Sequence, residues 1–130
     1  MEYGYKKQSK LNYEETVART RELLQKEGFG VMTEIDVKSI VKKKLNVDFD
    51  NYIILGACNP PFAYQALQAE RDIGLMMPCN VIVYDKGGKT YINAIRPTIA
   101  MQVTGNEKLR GIAENVEGKL KKVVDGVAGG

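Results

Sequence analysis

The spacing of hydrophobic residues along this chain switches repeatedly between two and about three and a half, and each switch marks a boundary between elements. The segment "EYGYKK" sets Tyr3 and Tyr5 on alternate positions and predicts a short strand. Asn12 stands three residues before Glu15, a relative of the capping box. From there Val17, Thr20, Leu23 and Leu24 form a helical stripe that ends at Gly28. "FGVMTEI" returns to alternation through Phe29, Val31 and Ile35, interrupted only at Thr33. Asp36 is placed to cap a second helix whose core face is Val37, Ile40, Val41 and Leu45.

"NVDFDN" is a turn-rich connector, and "YIILGAC" is too apolar for a half-exposed strand, which predicts a central or doubly covered one. A third helix is predicted from about Pro61 to Arg71, carrying Phe62, Ala63, Ala66 and Leu67. "VIVYD" and "TYINAI" read as a hairpin closed by Lys86-Gly87-Gly88-Lys89, where the glycines supply positive φ. The chain leaves the sheet at Pro97. A final helix starts near Asn106 and uses Leu109, Ile112, Val116, Leu120, Val123 and Val124. Gly111 and Gly118 weaken it by roughly 1 kcal/mol each relative to Ala. The order strand-helix-strand-helix-strand-helix-hairpin-helix predicts an α+β two-layer sandwich: one domain over 1–130, a mixed or mainly antiparallel sheet, and helices on one face.

Composition narrows the chemistry. The chain has 130 residues, 44% hydrophobic and 27% charged, with a net charge of +3. It has no histidine, which removes Ser-His-Asp and Cys-His catalysis within the chain together with His-based metal sites. Lysines cluster at 42–44 and again at 119, 121 and 122, but aromatic residues are not interleaved with them, so nucleic-acid binding has no support. No apolar run approaches the ~20 residues needed to span a membrane. The N-terminus lacks a secretory leader, and two cysteines without an export signal imply reduced thiols and a cytoplasmic location.

Those two cysteines lie in "GACNPPFAY" and "PCN". Cys58 ends a strand just before a helix, a position that can lower a thiol pKa. The prolines work against this. Pro60 is biased out of the helical region by Pro61, so Pro61 is the expected first helical residue, and neither carries an N–H. Only Phe62 and Ala63 then offer donors, with the Asn59 side chain placed to accept one. Cys79 precedes the strand at Val81; if that strand neighbours "YIILGAC", the two thiols meet at one end of the sheet. Buried structural cysteine is the plainer account of both. The alternative is a thiol or soft-metal site at Cys58 and Cys79, although two thiolates do not close a tetrahedral zinc site. Glu34 and Asp36 read as a strand end and a cap.

At "GFGVMTEIDVKSIVKKKLNVDF", "YIILGACNPPFAYQAL" and "IGLMMPCNVIVYD" the chain resembles family 302 of the domains of unknown function. The resemblance implies a compact prokaryotic α+β domain, a TATA-binding-protein-like arrangement of sheet and helices, and a homodimer. Gly56, Cys58, Asn59, Pro60, Cys79 and Asn80 match its signature positions. Three functions remain open: a binding module with a Cys- and Asn-lined site for a small ligand or soft metal; a structural or interaction domain; and a thiol redox or transferase enzyme in which Cys58 attacks and Cys79 resolves.

Overall fold

Five strands form one sheet in the computed structural model, which describes residues 2–129. They are β1 (Gly4–Ser9), β2 (Gly30–Asp36), β3 (Tyr52–Cys58), β4 (Cys79–Lys86) and β5 (Lys89–Ile95). The order across the sheet is β1-β5-β4-β3-β2, and every neighbouring pair is antiparallel. The helices are α1 (Tyr13–Lys26), α2 (Val37–Leu45), α3 (Pro60–Ala69), a short α4 (Pro97–Ala100) and α5 (Arg110–Ala128). Short 3-10 turns occupy Arg71–Met76, Met101–Thr104 and Glu107–Leu109.

This topology gives the helices different duties. β1 and β2 occupy opposite edges and, by the chain of antiparallel pairings, run in the same direction. A long return is therefore required between them, and α1 makes it across one face of the sheet. β2–β3 and β3–β4 are antiparallel neighbours that a tight turn could have joined. Thus α2 and α3 are excursions at opposite ends of the sheet, and neither is needed as a crossover.

The core lies between α1, α5 and the face carrying Ile53, Leu55, Val81, Val83 and Ile92. On α1 the fully buried positions are Thr16, Thr20 and Leu24. Thr16 is accommodated because its hydroxyl donates to the Asn12 carbonyl (2.7 Å) and lies 2.8 Å from the Ser9 hydroxyl. Asn12 accepts from the Glu15 amide at 2.8 Å, the cap that its spacing suggested. α5 buries Val116, Leu120, Val123, Val124 and Val127 at helical spacing.

The second strand explains its own irregular pattern. Val31 pairs with Ala57 and Thr33 with Gly56, so Met32 is the extra residue of a β-bulge. Before the bulge Val31 packs on the core; after it Thr33 and Ile35 share the opposite face with Gly56 and Ile54. On that opposite face Tyr52, Tyr84 and Tyr91 form a ladder across three strands, with ring centroids 5.2 and 5.5 Å apart. Lys6 lies 4.8 Å from the Tyr91 centroid.

Two expectations need correction. α3 begins at Pro60 rather than Pro61 and ends at Ala69, with prolines at both first positions. Proline's fixed φ suits the first helical turn, and that outweighed the steric bias on Pro60. The face of α2 expected to enter the core does not: α2 has no buried residue. The exit from the sheet at Pro97 is as expected: β5 ends at Ile95, and Pro97 opens a helical turn tied down by Glu117.

Candidate functional site

At the end of the sheet away from α2, the excursion through α3 leaves a cavity of about 350 Å³. Its floor is the end of β3 and the start of β4, with Ala57, Cys58 and Cys79. One wall is α3, through Phe62, Ala63, Ala66 and Leu67. The other walls are Phe29, Met32 and Thr33 of the β2 region, Met77 and Pro78 before β4, Met101, and Ile112 with Val116 of α5. Among the described residues none of the lining side chains is charged. Asn59 and Thr33 are the polar side chains, and Cys58, Cys79 and three methionines contribute five sulfur atoms.

Asn59 is buried, and one of its amide donors is committed. Its Nδ2 donates to the Glu27 carbonyl at 3.1 Å, so the side chain latches the α1–β2 turn instead of capping α3. Gly28 completes that turn at φ +86°, and a Cβ there would stand 3.2 Å from Asn59 Nδ2. The α3 N-terminus is a poor anion site. Pro60 and Pro61 carry no N–H and the Ala63 amide bonds the Asn59 carbonyl at 2.9 Å, which leaves Phe62 as the one donor of the first turn.

The two thiols are free and half-buried. Cys79 lies opposite Ala57 and packs against the core. Cys58 follows Ala57 in the strand, and alternation sends it to the other side. Both reach the cavity because it wraps the strand ends. Burial, with the neighbouring Cys58 adding to it, pushes the Cys79 thiol up to about 11, so it is protonated at neutral pH.

Gly56 and Asn80 face one another across β3 and β4 and do not line the cavity. Gly56 has a packing reason: a Cβ there would collide with Thr33 Oγ1 and come within 2.7 Å of Pro78 Cγ. Asn80 and Pro60 are exposed. The site therefore gathers Cys58, Asn59 and Cys79 and leaves Gly56, Pro60 and Asn80 around it. Among the described residues no group of three or more His, Cys, Asp or Glu is placed to hold a metal. Among the described residues no helix is long and apolar enough to cross a membrane.

Sequence reasoning missed Met32, Met77, Met101 and the α5 residues of this wall. "LMMPC" placed Met77 beside Cys79, but nothing in the pattern announced a bulge at Met32. It also missed Glu117, which is buried within the apolar stripe of α5. Glu117 Oε1 accepts from the Thr98 amide at 3.0 Å and from its hydroxyl, and Oε2 accepts from Arg96 Nε at 3.1 Å. Burial alone would raise its pKa. The hydrogen bonds from Thr98, Arg96 and Lys121 outweigh that and hold it below the usual carboxylate range.

A second, larger and more polar depression of about 660 Å³ lies over Thr98, Gln102, Asn106, Glu107 and Arg110. It contains neither cysteine, and most of these side chains are well solvated.

The model of the family described as "Domain of unknown function DUF302" matches residues 5–127. The chain is also similar to a solved structure, the crystal structure of an uncharacterized conserved protein DUF302 from Bacillus stearothermophilus. The two are 30% identical, with 98% of this chain and 99% of that one covered and a TM-score of 0.92. No curated protein matches the chain.

Proposed function

The chain belongs to the DUF302 family, and on the chemistry of its cavity we propose that it is a binding module for a small, uncharged, apolar molecule. One observation carries this reading: a cavity of about 350 Å³ whose lining contains no Asp, Glu, Lys or Arg. That volume falls within the range of small-molecule pockets, which are mostly apolar with a few polar groups fixing orientation. A charged ligand would lose its hydration here without gaining a partner. Thr33, the Cys58 thiol and the Asn59 Oδ1 are the groups left to orient a neutral ligand, since Asn59 Nδ2 is held by the Glu27 carbonyl.

An organic occupant fits better than a metal ion. Cys58 and Cys79 approach the cavity from opposite sides of the sheet, and no carboxylate joins them. A resolving role for Cys79 in thiol exchange is disfavoured for the same reason that its pKa is high.

The test is a titration with Nile red, a neutral apolar dye, alongside its anionic counterpart anilinonaphthalene sulfonate. Nile red is expected to brighten, raise the melting temperature and slow thiol labelling of Cys58. Ala63→Phe, which pushes a ring into the cavity from α3, is expected to abolish all three effects. Equal binding by that variant, or preference for the anionic dye, overturns the reading.

A further inference from the structure

The lining of the cavity beside α3 is graded from solvent inward. Met32, Thr33 and Leu67 are exposed and form its mouth, between the bulge of β2 and α3. Asn59 is the most deeply buried polar residue of the lining, only 8% exposed. The Glu27 carbonyl can only accept, so the amide is fixed with Nδ2 toward it and Oδ1 pointing elsewhere. Gly28 packs on the same nitrogen, since a Cβ there would stand 3.2 Å from Nδ2. The donor end of the amide thus belongs to the α1–β2 turn. Among the described residues nothing donates to Oδ1, and it does not cap α3. A buried carbonyl oxygen without a donor is unfavourable, and a ligand that supplies one gains accordingly.

The other polar atoms do not take this role. The Thr33 hydroxyl lies at the exposed mouth, and thiols are weak hydrogen-bonding groups. The apolar part of the lining is selective as well. Met32, Met77 and Met101 stand around the cavity with Phe29 and Phe62. Thioether sulfurs favour the edges of aromatic rings, and aromatic rings favour one another in offset or edge-on contact. A saturated chain gains neither. Resting on the reading of this cavity as a ligand site, we infer that its ligand is an aromatic molecule carrying one neutral hydrogen-bond donor, a phenol hydroxyl or an indole-type N–H, which donates to Asn59 Oδ1 while the ring lies among the methionines. Charge narrows the donor to these groups. An ammonium would find no carboxylate in the lining, and a carboxylic acid would ionise at neutral pH without meeting a cation. Ethers and ketones present only lone pairs to Oδ1.

Displacement of Nile red from the whole chain tests this. Nile red has no hydrogen-bond donor, so its own binding reports the cavity and not the Asn59 contact. 2-Naphthol is expected to displace it at about one-tenth of the concentration that 2-methoxynaphthalene requires, because the methyl group replaces the donor. Decahydro-2-naphthol keeps the hydroxyl but not the aromatic ring, and is expected to require at least about threefold more than 2-naphthol. In Asn59→Ala the preference for the naphthol over its ether is expected to vanish. The wild-type ranking needs no variant and decides the matter if Asn59→Ala does not fold. Equal displacement by naphthol and ether, or by naphthol and saturated alcohol, overturns the inference and leaves the cavity reading standing. So does a preference that survives in Asn59→Ala. Failure of Nile red to bind removes the cavity reading, and this inference with it.

Discussion

Asn59 Nδ2 donates to the carbonyl of Glu27 at 3.1 Å, joining the start of α3 to the end of α1 across 32 residues of chain. This bond closes one corner of the cavity and fixes the orientation of the Asn59 side chain. Asn59→Ala is expected to destabilise the fold by about 1–2 kcal/mol, because the Glu27 carbonyl loses its donor in a partly buried place. Asn59→Asp is expected to cost more, since it presents a carboxylate to a carbonyl. Urea midpoints measure both. Wild-type stability in Asn59→Asp would show that the bond does not form in solution.

Gly56 lets Thr33 and Pro78 close over the sheet. Gly56→Ala is expected to cost about 1–3 kcal/mol through overpacking. Adding Thr33→Ala should return part of the loss, since Thr33 Oγ1 is the nearest obstacle. A double-mutant cycle reads this as a coupling, and strict additivity would contradict the contact.

Cys79 should behave as a quiet thiol. With its pKa pushed to about 11 by burial, alkylation by iodoacetamide is expected to be slow at neutral pH and to keep rising well beyond pH 9. A plateau near pH 8 would mean that the thiolate is stabilised by something absent from this arrangement.

Glu117 ties α4 to α5, and its lowered pKa makes that tie pH-dependent. A carboxylate whose folded pKa lies below its unfolded value contributes stability that is complete above the unfolded pKa, about 4.5 for Glu. The contribution is lost as pH falls through the lower, folded value. Acid unfolding of the wild type is therefore expected to steepen below about pH 4.5. Glu117→Gln, which keeps the shape and cannot ionise, should flatten that limb. Glu117→Ala at neutral pH is expected to cost about 2–3 kcal/mol, because hydrogen bonds to a charged group are lost. An unchanged acid limb in Glu117→Gln would place the pH dependence elsewhere.

Local chemistry made most of the elements legible. Asn12 and Asp36 have the side chains to cap helices, and both do so. The double glycine at 87–88 has the φ freedom for a tight hairpin, and both residues adopt positive φ. The alternation of β4 and β5 and the stripe of α5 gave the α+β class because period alone separates strand from helix. The place of "GACNPP" at a strand-to-helix corner was legible too, as was the shortage of donors at the start of α3, since proline lacks an N–H in any fold.

Strand order was a different matter. It depends on pairings between residues far apart, and no local period encodes them. Only the antiparallel β1-β5-β4-β3-β2 arrangement shows that α1 must cross the sheet while α2 and α3 need not. That single difference leaves the Ile40 and Leu45 flanks of the α2 stripe in water and Val37 and Val41 only half-buried, although its pattern matches that of a core helix. It also opens the cavity beside α3, bringing Met32, Met77, Met101 and Val116 against the two cysteines. The sequence by itself determined which residues could start, stop and bury each element. The tertiary structure decided what each buried face meets, because burial is settled by which surfaces the connections allow to touch.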